Sequence, residues 1–268
     1  MTAIQSTKPT TQSLPNITPK QLNLLLYLYK FTFLHTNQFQ HLCNHKQPQR
    51  VQQWLKNLKD KGYLEIHEFE RNTFISNMKP AIYSLTKLAR KKLKNHPKCE
   101  LEVLDRVYQS KSLSKTFIAK CVFLADVYID LLSHLEEHET LHFSTRANLR
   151  GFAYFPNPLP DAYVAIKNPT TTKRYFLFLL DVRAPWYIMD RRIRSLMDYA
   201  EDNAWDEYSD DPLPTFLIVC PNQTTLKHVN YIICKNLPDT DFYLTTRDTL
   251  RKSGFKGEGW EHVELQDE

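Results

Sequence analysis

The sequence predicts an α/β two-domain protein. Three observations support this: the spacing of apolar residues changes along the chain, the two halves carry opposite net charge, and the helical pattern is interrupted near Pro97. Apolar residues recur mainly at helical spacing up to about residue 137, and at strand-like spacing in much of the remainder. Residues 1–120 contain 20 Lys and Arg against 7 Asp and Glu, a net charge of +13, whereas residues 121–268 contain 15 against 23, a net charge of −8. The pattern changes around Pro97, so we place the boundary there.

The N-terminal part has the element order of a winged helix-turn-helix. The patterns predict helices at 18–31, 36–43, 48–61 and 86–94, and a β-hairpin formed by 63–70 and 81–85. Thr18 and Thr36 are suited to cap the first two helices, and Gly62 is suited to end the third. The third helix has one apolar stripe, formed by Val51, Trp54, Leu55 and Leu58. We assign this winged helix to residues 17–95, after a flexible tail at 1–16.

The other side of the third helix carries side chains suited to reading DNA. Amide and guanidinium groups contact base edges in the major groove, and this side presents Gln49, Arg50, Gln52, Gln53, Lys56 and Asn57. The candidate cations for contacting backbone phosphates, which position a protein on DNA, are Lys46, Lys59, Arg71 and Lys79. We therefore predict double-stranded DNA as the partner of this domain. The alternatives are an ordinary solvated helix and a winged helix that contacts protein.

The C-terminal part has the order αβββαβ, which is the core order of restriction-endonuclease-like nucleases. The elements are a helix at 112–137, strands near 141–143, 161–166 and 174–182, a helix at 188–204, a strand at 215–220, and a further helix and strand up to residue 245. The apolar stripe of the first helix is either a core face or a dimer seam. We assign this domain to 113–250, after a linker at 96–112 and before a polar tail at 251–268.

Two aspartates of this domain stand where such nucleases carry metal-binding carboxylates. Asp161 opens one predicted strand and Asp181 closes the next, so both are candidate catalytic residues and ligands of Mg²⁺ or Mn²⁺. Arg183 occupies the third candidate catalytic position, where lysine is expected, and arginine is a poor base. Arg191, Arg192 and Arg194 are alternative sources of a basic group. Arg194 is also spaced to pair with Asp190 or Asp198 on the helix surface. We expect a weak or inactive nuclease-like domain.

Several other classes of protein are excluded by motif and composition. The sequence has no phosphate-binding Walker loop, no Gly-x-Ser-x-Gly and no His-Glu-x-x-His. Its five cysteines form no Cys-x-x-Cys pair, which argues against a disulfide framework. It has neither a secretory signal nor an apolar run long enough for a membrane helix. We therefore expect a cytoplasmic protein with no membrane partner. The acidic segment 201–211 is most simply a solvated loop, and binding of a partner or a metal ion is the alternative.

The chain resembles the replication-relaxation family of plasmid and mobile-element proteins. The similarity rests on the winged helix, the helix from Leu113 to Leu131, the turn Leu159-Pro160-Asp161-Ala162, and the strand 175–182 followed by a helix with Leu196 and Tyr199. Asp161 matches the Pro-Asp-Ala motif of that family and Asp181 its acidic strand end. Arg183-Ala184-Pro185 departs from its Asp-x-Gly. The resemblance implies a DNA-binding role in plasmid replication, DNA relaxation or mobilisation.

Three functions stay open at this point. The first is an accessory or regulatory DNA-binding protein that requires no cofactor and reads an inverted repeat if it is a homodimer. The second is a nuclease that nicks or cuts DNA with Mg²⁺ or Mn²⁺ held by Asp161 and Asp181. The third is an interaction module whose acidic C-terminal half recruits a replication or mobilisation protein.

Overall fold

The structure is a computed structural model that describes residues 14–67, 81–109, 114–181, 183–202, 204–235, 238 and 240–264. Across these residues the fold is mixed α/β. A three-stranded sheet lies in the N-terminal part, and a six-stranded mixed sheet lies in the C-terminal part. Both parts therefore follow the predicted class, and their elements fall close to the predicted positions.

The N-terminal part builds its helices around a small antiparallel sheet. The helices are α1 (Pro19–Phe31), α2 (Thr36–Leu42), α3 (Pro48–Asp60) and α4 (Lys87–Leu93), and the strands are β1 (Leu34–His35), β2 (Leu64–His67) and β3 (Ile82–Leu85). The strand order is β1-β3-β2, and β2 pairs with β3 from Leu64 opposite Leu85 to His67 opposite Ile82. Strand β1 is additional to the predicted elements.

The ends of these helices follow simple capping chemistry, with one correction. The Thr18 hydroxyl accepts the backbone N–H of Gln21 and caps α1, as predicted. Thr36 does not cap α2: the imidazole of His35 accepts the backbone N–H of Gln38, while the side chain of Gln38 accepts the N–H of His35. Gly62 follows α3 with a φ of +78°, the left-handed conformation that glycine adopts without strain.

The segment predicted as a linker at 96–112 contains a helix instead. Helix α5 (Leu101–Gln109) buries Val103, Leu104 and Val107 against the rest of the core. An ion pair also joins Arg90 of α4 to Asp105 of α5. The apolar period of this helix lasts only two turns and follows Pro97 closely, which is why the sequence pattern did not indicate it.

The long helix α6 (Lys115–Ser133) is a core helix, which favours the core-face interpretation of its apolar stripe over a dimer seam. Cys121, Leu124 and Leu131 of that stripe are buried within the chain. Tyr128 contacts Phe31 of α1, with 5.1 Å between ring centroids, and Phe143 of the large sheet, at 5.2 Å. Helix α6 therefore lies between the N-terminal helices and the C-terminal sheet.

The C-terminal part is the predicted αβββαβ order with short helices added. After α6 come β4 (Thr140–Thr145), α7 (Arg146–Leu149), β5 (Ala162–Lys167), β6 (Thr172–Leu179), α8 (Trp186–Glu201), β7 (Thr215–Cys220), α9 (Gln223–Cys234), β8 (Phe242–Thr246), α10 (Arg247–Ser253) and β9 (Glu261–His262). The strand order is β4-β5-β6-β7-β8-β9. Strands β6, β7 and β8 are parallel, and the other neighbouring pairs are antiparallel. Phe176 to Leu179 are fully buried, as expected of a strand covered on both faces.

The segment predicted as a polar tail at 251–268 contains a helix and a strand within its described residues, 251–264, so the prediction was wrong for this part. Helix α10 continues to Ser253, and β9 pairs with β8. Phe255 and Val263 are buried, and the indole N–H of Trp260 donates to the carbonyl oxygen of Phe255. A few apolar residues that are far apart in a polar sequence were enough to attach this segment to the sheet.

The N-terminal and C-terminal parts share one hydrophobic core. A single cluster of buried side chains includes Leu24 of α1, Leu55 of α3 and Leu177 of β6. Next to this cluster, the buried side-chain amide of Gln38 donates to the carbonyl oxygen of Val122 at 2.7 Å and to a carboxylate oxygen of Asp126 at 2.6 Å. Packing and hydrogen bonding therefore both hold α6 against the N-terminal helices. No helix among the described residues is both long and apolar enough to cross a bilayer.

We predict that Gln38→Ala lowers the free energy of unfolding by about 2 kcal/mol, because it leaves Asp126 and the Val122 carbonyl without their donor. Burial already raises the pKa of the Asp126 carboxyl. Urea unfolding at neutral pH measures the effect. Asn37→Ala, at the exposed neighbouring position of α2, is the matched control and should change little. Equal stability of the two variants would contradict this role of Gln38.

Lys30 of α1 should make stability depend on alkaline pH. Its ammonium lies 4.0 Å from the centroid of the Tyr128 ring, and burial lowers its pKa from 10.5 to about 8. Between these values the unfolded chain binds more protons than the folded one, so stability rises with pH. Lys30→Met should remove about 2 kcal/mol of that rise. Urea unfolding at the two ends of this pH window is the measurement, with exposed Lys20→Met as the control that keeps the rise.

Candidate functional site

The exposed side of α3 carries most of the residues predicted to bind DNA. Helix α3 begins with Pro48, and Val51, Leu55 and Leu58 are fully buried, which fixes which side faces solvent. The structure places the following candidates on this exposed side or just before it: Lys46, Gln49, Arg50, Gln52, Gln53, Lys56 and Asn57. We call these seven residues the α3 surface. The candidates Arg71 and Lys79 lie outside the described residues.

One member of the α3 surface is partly engaged inside the protein. The side-chain oxygen of Asn57 accepts a hydrogen bond of 2.8 Å from the buried amide of Gln21 on α1. This bond attaches α3 to α1. Asn57 is therefore a positioning residue as well as a surface residue, and its free amide N–H groups are what remain for a ligand.

A basic concavity of about 640 Å³ lies at the N-terminal end of the α3 surface. It is lined by Lys46 and Arg50 and by Lys20 of α1, whose ammonium lies 5.4 Å from the centroid of the Trp54 ring. Sequence analysis placed Trp54 in the apolar stripe and did not single out Lys20. Lys20 comes from another helix, so only the tertiary structure brings it to this surface.

The second candidate site is centred on Asp161, immediately before β5. Its carboxylate is only 7% exposed, and one of its oxygens, Oδ2, accepts the backbone N–H of Leu179 at 2.7 Å. Its backbone N–H donates to the carbonyl oxygen of Leu177. These bonds hold Asp161 beside the carboxyl end of β6, where the predicted hairpin was expected to bring it close to Asp181.

Three cations from three helices surround the Asp161 carboxylate. Arg192 Nη2 lies 3.6 Å from Oδ2, Lys120 Nζ lies 3.9 Å from Oδ2, and Arg146 Nη1 lies 3.9 Å from Oδ1. Burial lowers the pKa of both Lys120 and Arg146, and the Asp161 charge opposes that effect. Arg192 lowers the pKa of Lys120 further, because like charges repel.

Asp181 and Arg247 complete this group at the carboxyl ends of β6 and β8. A carboxylate oxygen of Asp181 accepts the backbone N–H of Arg183 at 3.0 Å, while Arg247 Nη2 donates to the carbonyl oxygen of Leu180. Burial lowers the pKa of Arg247, and the charges of Asp181 and Asp161 oppose that effect. The Arg183 side chain is exposed, so the basic groups near Asp161 are other residues.

We define the Asp161 cluster as Lys120, Arg146, Asp161, Asp181, Arg192 and Arg247. The sequence predicts a site role for the two aspartates, and for Arg192 as an alternative basic group. Lys120 was not predicted, although it is the only charged residue between Thr116 and Ala125 of α6. Arg146 and Arg247 each begin a short helix that the patterns did not indicate, and nothing in their local sequence singles them out.

The composition of the Asp161 cluster does not fit a divalent metal ion. Its two carboxylates stand among four cations, a formal charge of +2, and an added dication would be repelled. Within the described parts of the chain, no group of three or more His, Cys, Asp or Glu side chains is arranged to hold a metal. Mg²⁺ is normally bound through carboxylates and waters that are free to coordinate it, whereas Asp161 is already paired.

Comparison with known proteins gives a family and two distant structures. The family model described as Replication-relaxation matches residues 25–201. Two structures of the restriction endonuclease FokI, one of them bound to DNA, align with 88% and 90% of this chain at 12% and 13% identity, each with a TM-score of 0.32. The chain spans 43% and 45% of the length of those two structures. No curated protein matches it.

We predict that Asp161→Asn destabilises the protein by about 3 kcal/mol, because it leaves the largely buried cations of Lys120 and Arg192, and the more exposed Arg146, without their shared counter-ion. Urea unfolding at neutral pH measures this. Asp198→Asn, at an exposed position of α8, is the matched control and should have a small effect. If Asp161→Asn were as mild as the control, the ion pairs around Asp161 would not be structural.

Proposed function

Because this chain belongs to the replication-relaxation family, we propose that it binds double-stranded DNA as an accessory or regulatory protein of a plasmid or mobile element. The family model covers residues 25–201, which include both the α3 surface and Asp161. The family supports a DNA-related role, and the chemistry of the two sites supports a choice among the roles that the sequence left open.

In this proposal the N-terminal part is a winged helix-turn-helix, and α3 is its recognition helix. The order of α1, α2 and α3 followed by the paired strands β2 and β3 supports that assignment. In such domains the recognition helix lies in the major groove and the hairpin contacts the backbone. The hairpin connection holds Arg71 and Lys79, which keep their proposed role in binding phosphates.

The observation that carries the proposal is the division of α3 into two sides. One side is fully buried at Val51, Leu55 and Leu58, so the helix cannot rotate to hide its polar side. The polar side exposes three glutamines and Arg50, whose amide and guanidinium groups pair with adenine and guanine edges. A rigidly presented row of such groups is what direct reading of DNA sequence requires.

The basic concavity beside Trp54 supplies phosphate contacts in this proposal. Lys20, Lys46 and Arg50 approach it from α1, from the turn before α3 and from α3 itself. A helix in the major groove has the DNA backbone along its flanks, so these cations would bind phosphates while the glutamines contact bases. We propose that this binding requires no cofactor.

The C-terminal part acts in this proposal as a nuclease-like scaffold that does not cleave DNA. A restriction-endonuclease-like active site requires a carboxylate that is free to hold a metal ion. Asp161 is instead paired with three cations, one of which is Lys120, and Arg183 stands where the sequence motif of such nucleases has its own lysine. Homodimerisation and recruitment of a replication or mobilisation protein remain compatible with this scaffold.

A double charge reversal on α3 tests the DNA-binding proposal. Arg50→Glu/Lys56→Glu should weaken duplex binding at least about 100-fold, because it replaces two attractions with repulsions, and should lower the salt dependence. Fluorescence anisotropy with a labelled duplex in EDTA is the measurement. Lys227→Glu/Lys252→Glu makes the same charge change at exposed positions of α9 and α10 and should bind DNA almost as well as the unchanged protein. Equal binding by both variants would contradict the proposal.

A plasmid assay tests the absence of cleavage. Supercoiled plasmid incubated with the protein and Mg²⁺ or Mn²⁺ should stay supercoiled, because the Asp161 carboxylate is engaged by its cations. Agarose gel electrophoresis reads the result. Nicking that is lost in both Asp161→Ala and Asp181→Ala would instead establish the alternative, a metal-dependent nuclease that uses these two carboxylates.

A further inference from the structure

We propose that the Asp161 cluster is a binding site for a phosphate group rather than for a divalent metal ion. The inference goes beyond DNA binding by α3, because the cluster lies in the C-terminal part and is made of different residues. It rests on the position of the cluster in the sheet, on its charge and on buried cationic donors that lack an acceptor.

The Asp161 cluster lies at the edge of the sheet where ligands usually bind. Asp181 follows β6, and Arg247 follows β8, so both stand at the carboxyl ends of parallel strands. Helix α8 adds Arg192, whose guanidinium carbon is 5.5 Å from the centroid of the Phe178 ring in β6. In open sheets with parallel strands, the carboxyl ends of the strands are the usual location of a binding cleft.

The charge of the cluster selects an anion. Four cations share two carboxylates, and Asp161 Oδ2 already accepts the backbone N–H of Leu179. A dication would have to compete with three neighbouring cations for Asp161, whereas a phosphate would neutralise the remaining formal charge of +2. Asp161 then acts as the counter-ion that keeps the cations close together when no phosphate is bound.

The buried donors of the cluster show that its cations are incompletely neutralised. Arg192 Nε and Arg247 Nε are buried without a hydrogen-bond partner. Arg192 Nη2 is also without one, because its distance of 3.6 Å from Asp161 Oδ2 makes an ion pair but is too long for a hydrogen bond. An ionised donor without an acceptor is costly in a protein interior, and the oxygens of a bound anion would remove that cost. Arg146 offers access to the cluster, because its side chain is 40% exposed while those of Lys120 and Arg192 are 15% and 18% exposed.

Phosphate titration at constant ionic strength tests the proposal directly. Isothermal titration calorimetry with inorganic phosphate should show one site in the unchanged protein. Arg146→Gln should weaken binding about tenfold, through loss of one charge-assisted hydrogen bond, and Arg146→Lys should restore most of it. Arg191→Gln removes an exposed arginine next to Arg192 and should bind phosphate normally. Thermal melting confirms that each variant is folded. No phosphate binding, or equal binding by Arg146→Gln and Arg191→Gln, would overturn the proposal.

A titration with Mn²⁺ tests the opposite assignment, in which the Asp161 cluster binds a divalent metal ion. The unchanged protein should show no Mn²⁺ site that depends on Asp161. Asp161→Asn should bind phosphate more tightly than the unchanged protein, because the cluster loses a negative charge; a metal site would instead be abolished by this substitution. Mn²⁺ binding that disappears in Asp161→Asn would overturn the phosphate assignment. If Asp161→Asn does not fold, Asp181→Asn makes the same comparison at the half-buried carboxylate.

The source of the phosphate is distinguished with duplex DNA. If the group belongs to the DNA backbone, Arg146→Gln should lower the slope of log affinity against log salt by about one. If it belongs to free phosphate or a nucleotide, the slope should stay unchanged while the phosphate titration still shifts. Arg50→Glu/Lys56→Glu separates this inference from the DNA-binding proposal, because it should leave phosphate binding by the cluster intact.

Discussion

The C-terminal part of the structure depends on the ion pairs and the hydrogen bond that neutralise the buried carboxylate of Asp161. A carboxylate this deeply buried needs several partners, and it takes them from β6, α6, α7 and α8. Three helices therefore each place one cation beside this carboxylate. The Pro160-Asp161 turn therefore has a different role from the one that its sequence suggests. Asp161 resembles a catalytic carboxylate in sequence, but in the structure it is the counter-ion of a basic cluster.

Helix α6 connects that cluster to the rest of the chain. It carries Lys120 towards Asp161, and Asp126 towards Gln38 of α2. Apolar side chains of α6 belong to the same buried cluster as residues of the N-terminal helices and of the large sheet. Charged residues on an otherwise apolar helix are rare because burial is costly, and both of these are used for tertiary contacts.

The α3 surface follows the opposite rule, because its polar groups are left to solvent. Buried Val51 and Leu55 hold the helix, and the bond from Gln21 to Asn57 fixes it against α1. The remaining amides and cations are exposed and available to a ligand. The chain thus has an exposed basic surface on α3 and a largely buried basic group in the Asp161 cluster. In our proposals the first contacts backbone phosphates of DNA, and the second binds a single phosphate group.

Periodicity and capping chemistry in the sequence determined the long elements, the buried side of α3 and the positions of Asp161 and Asp181, because these depend on residues a few positions apart. They did not determine α5, α7, α10 or β9, because these elements are too short for their apolar residues to form a recognisable repeat. Only the tertiary structure decided that Lys120, Arg146, Arg192 and Arg247 meet around Asp161, or that Lys20 joins the surface of α3. Those groups come from separate elements, which are brought together by burial of their apolar faces, so no pattern within a few positions of each residue records that they meet.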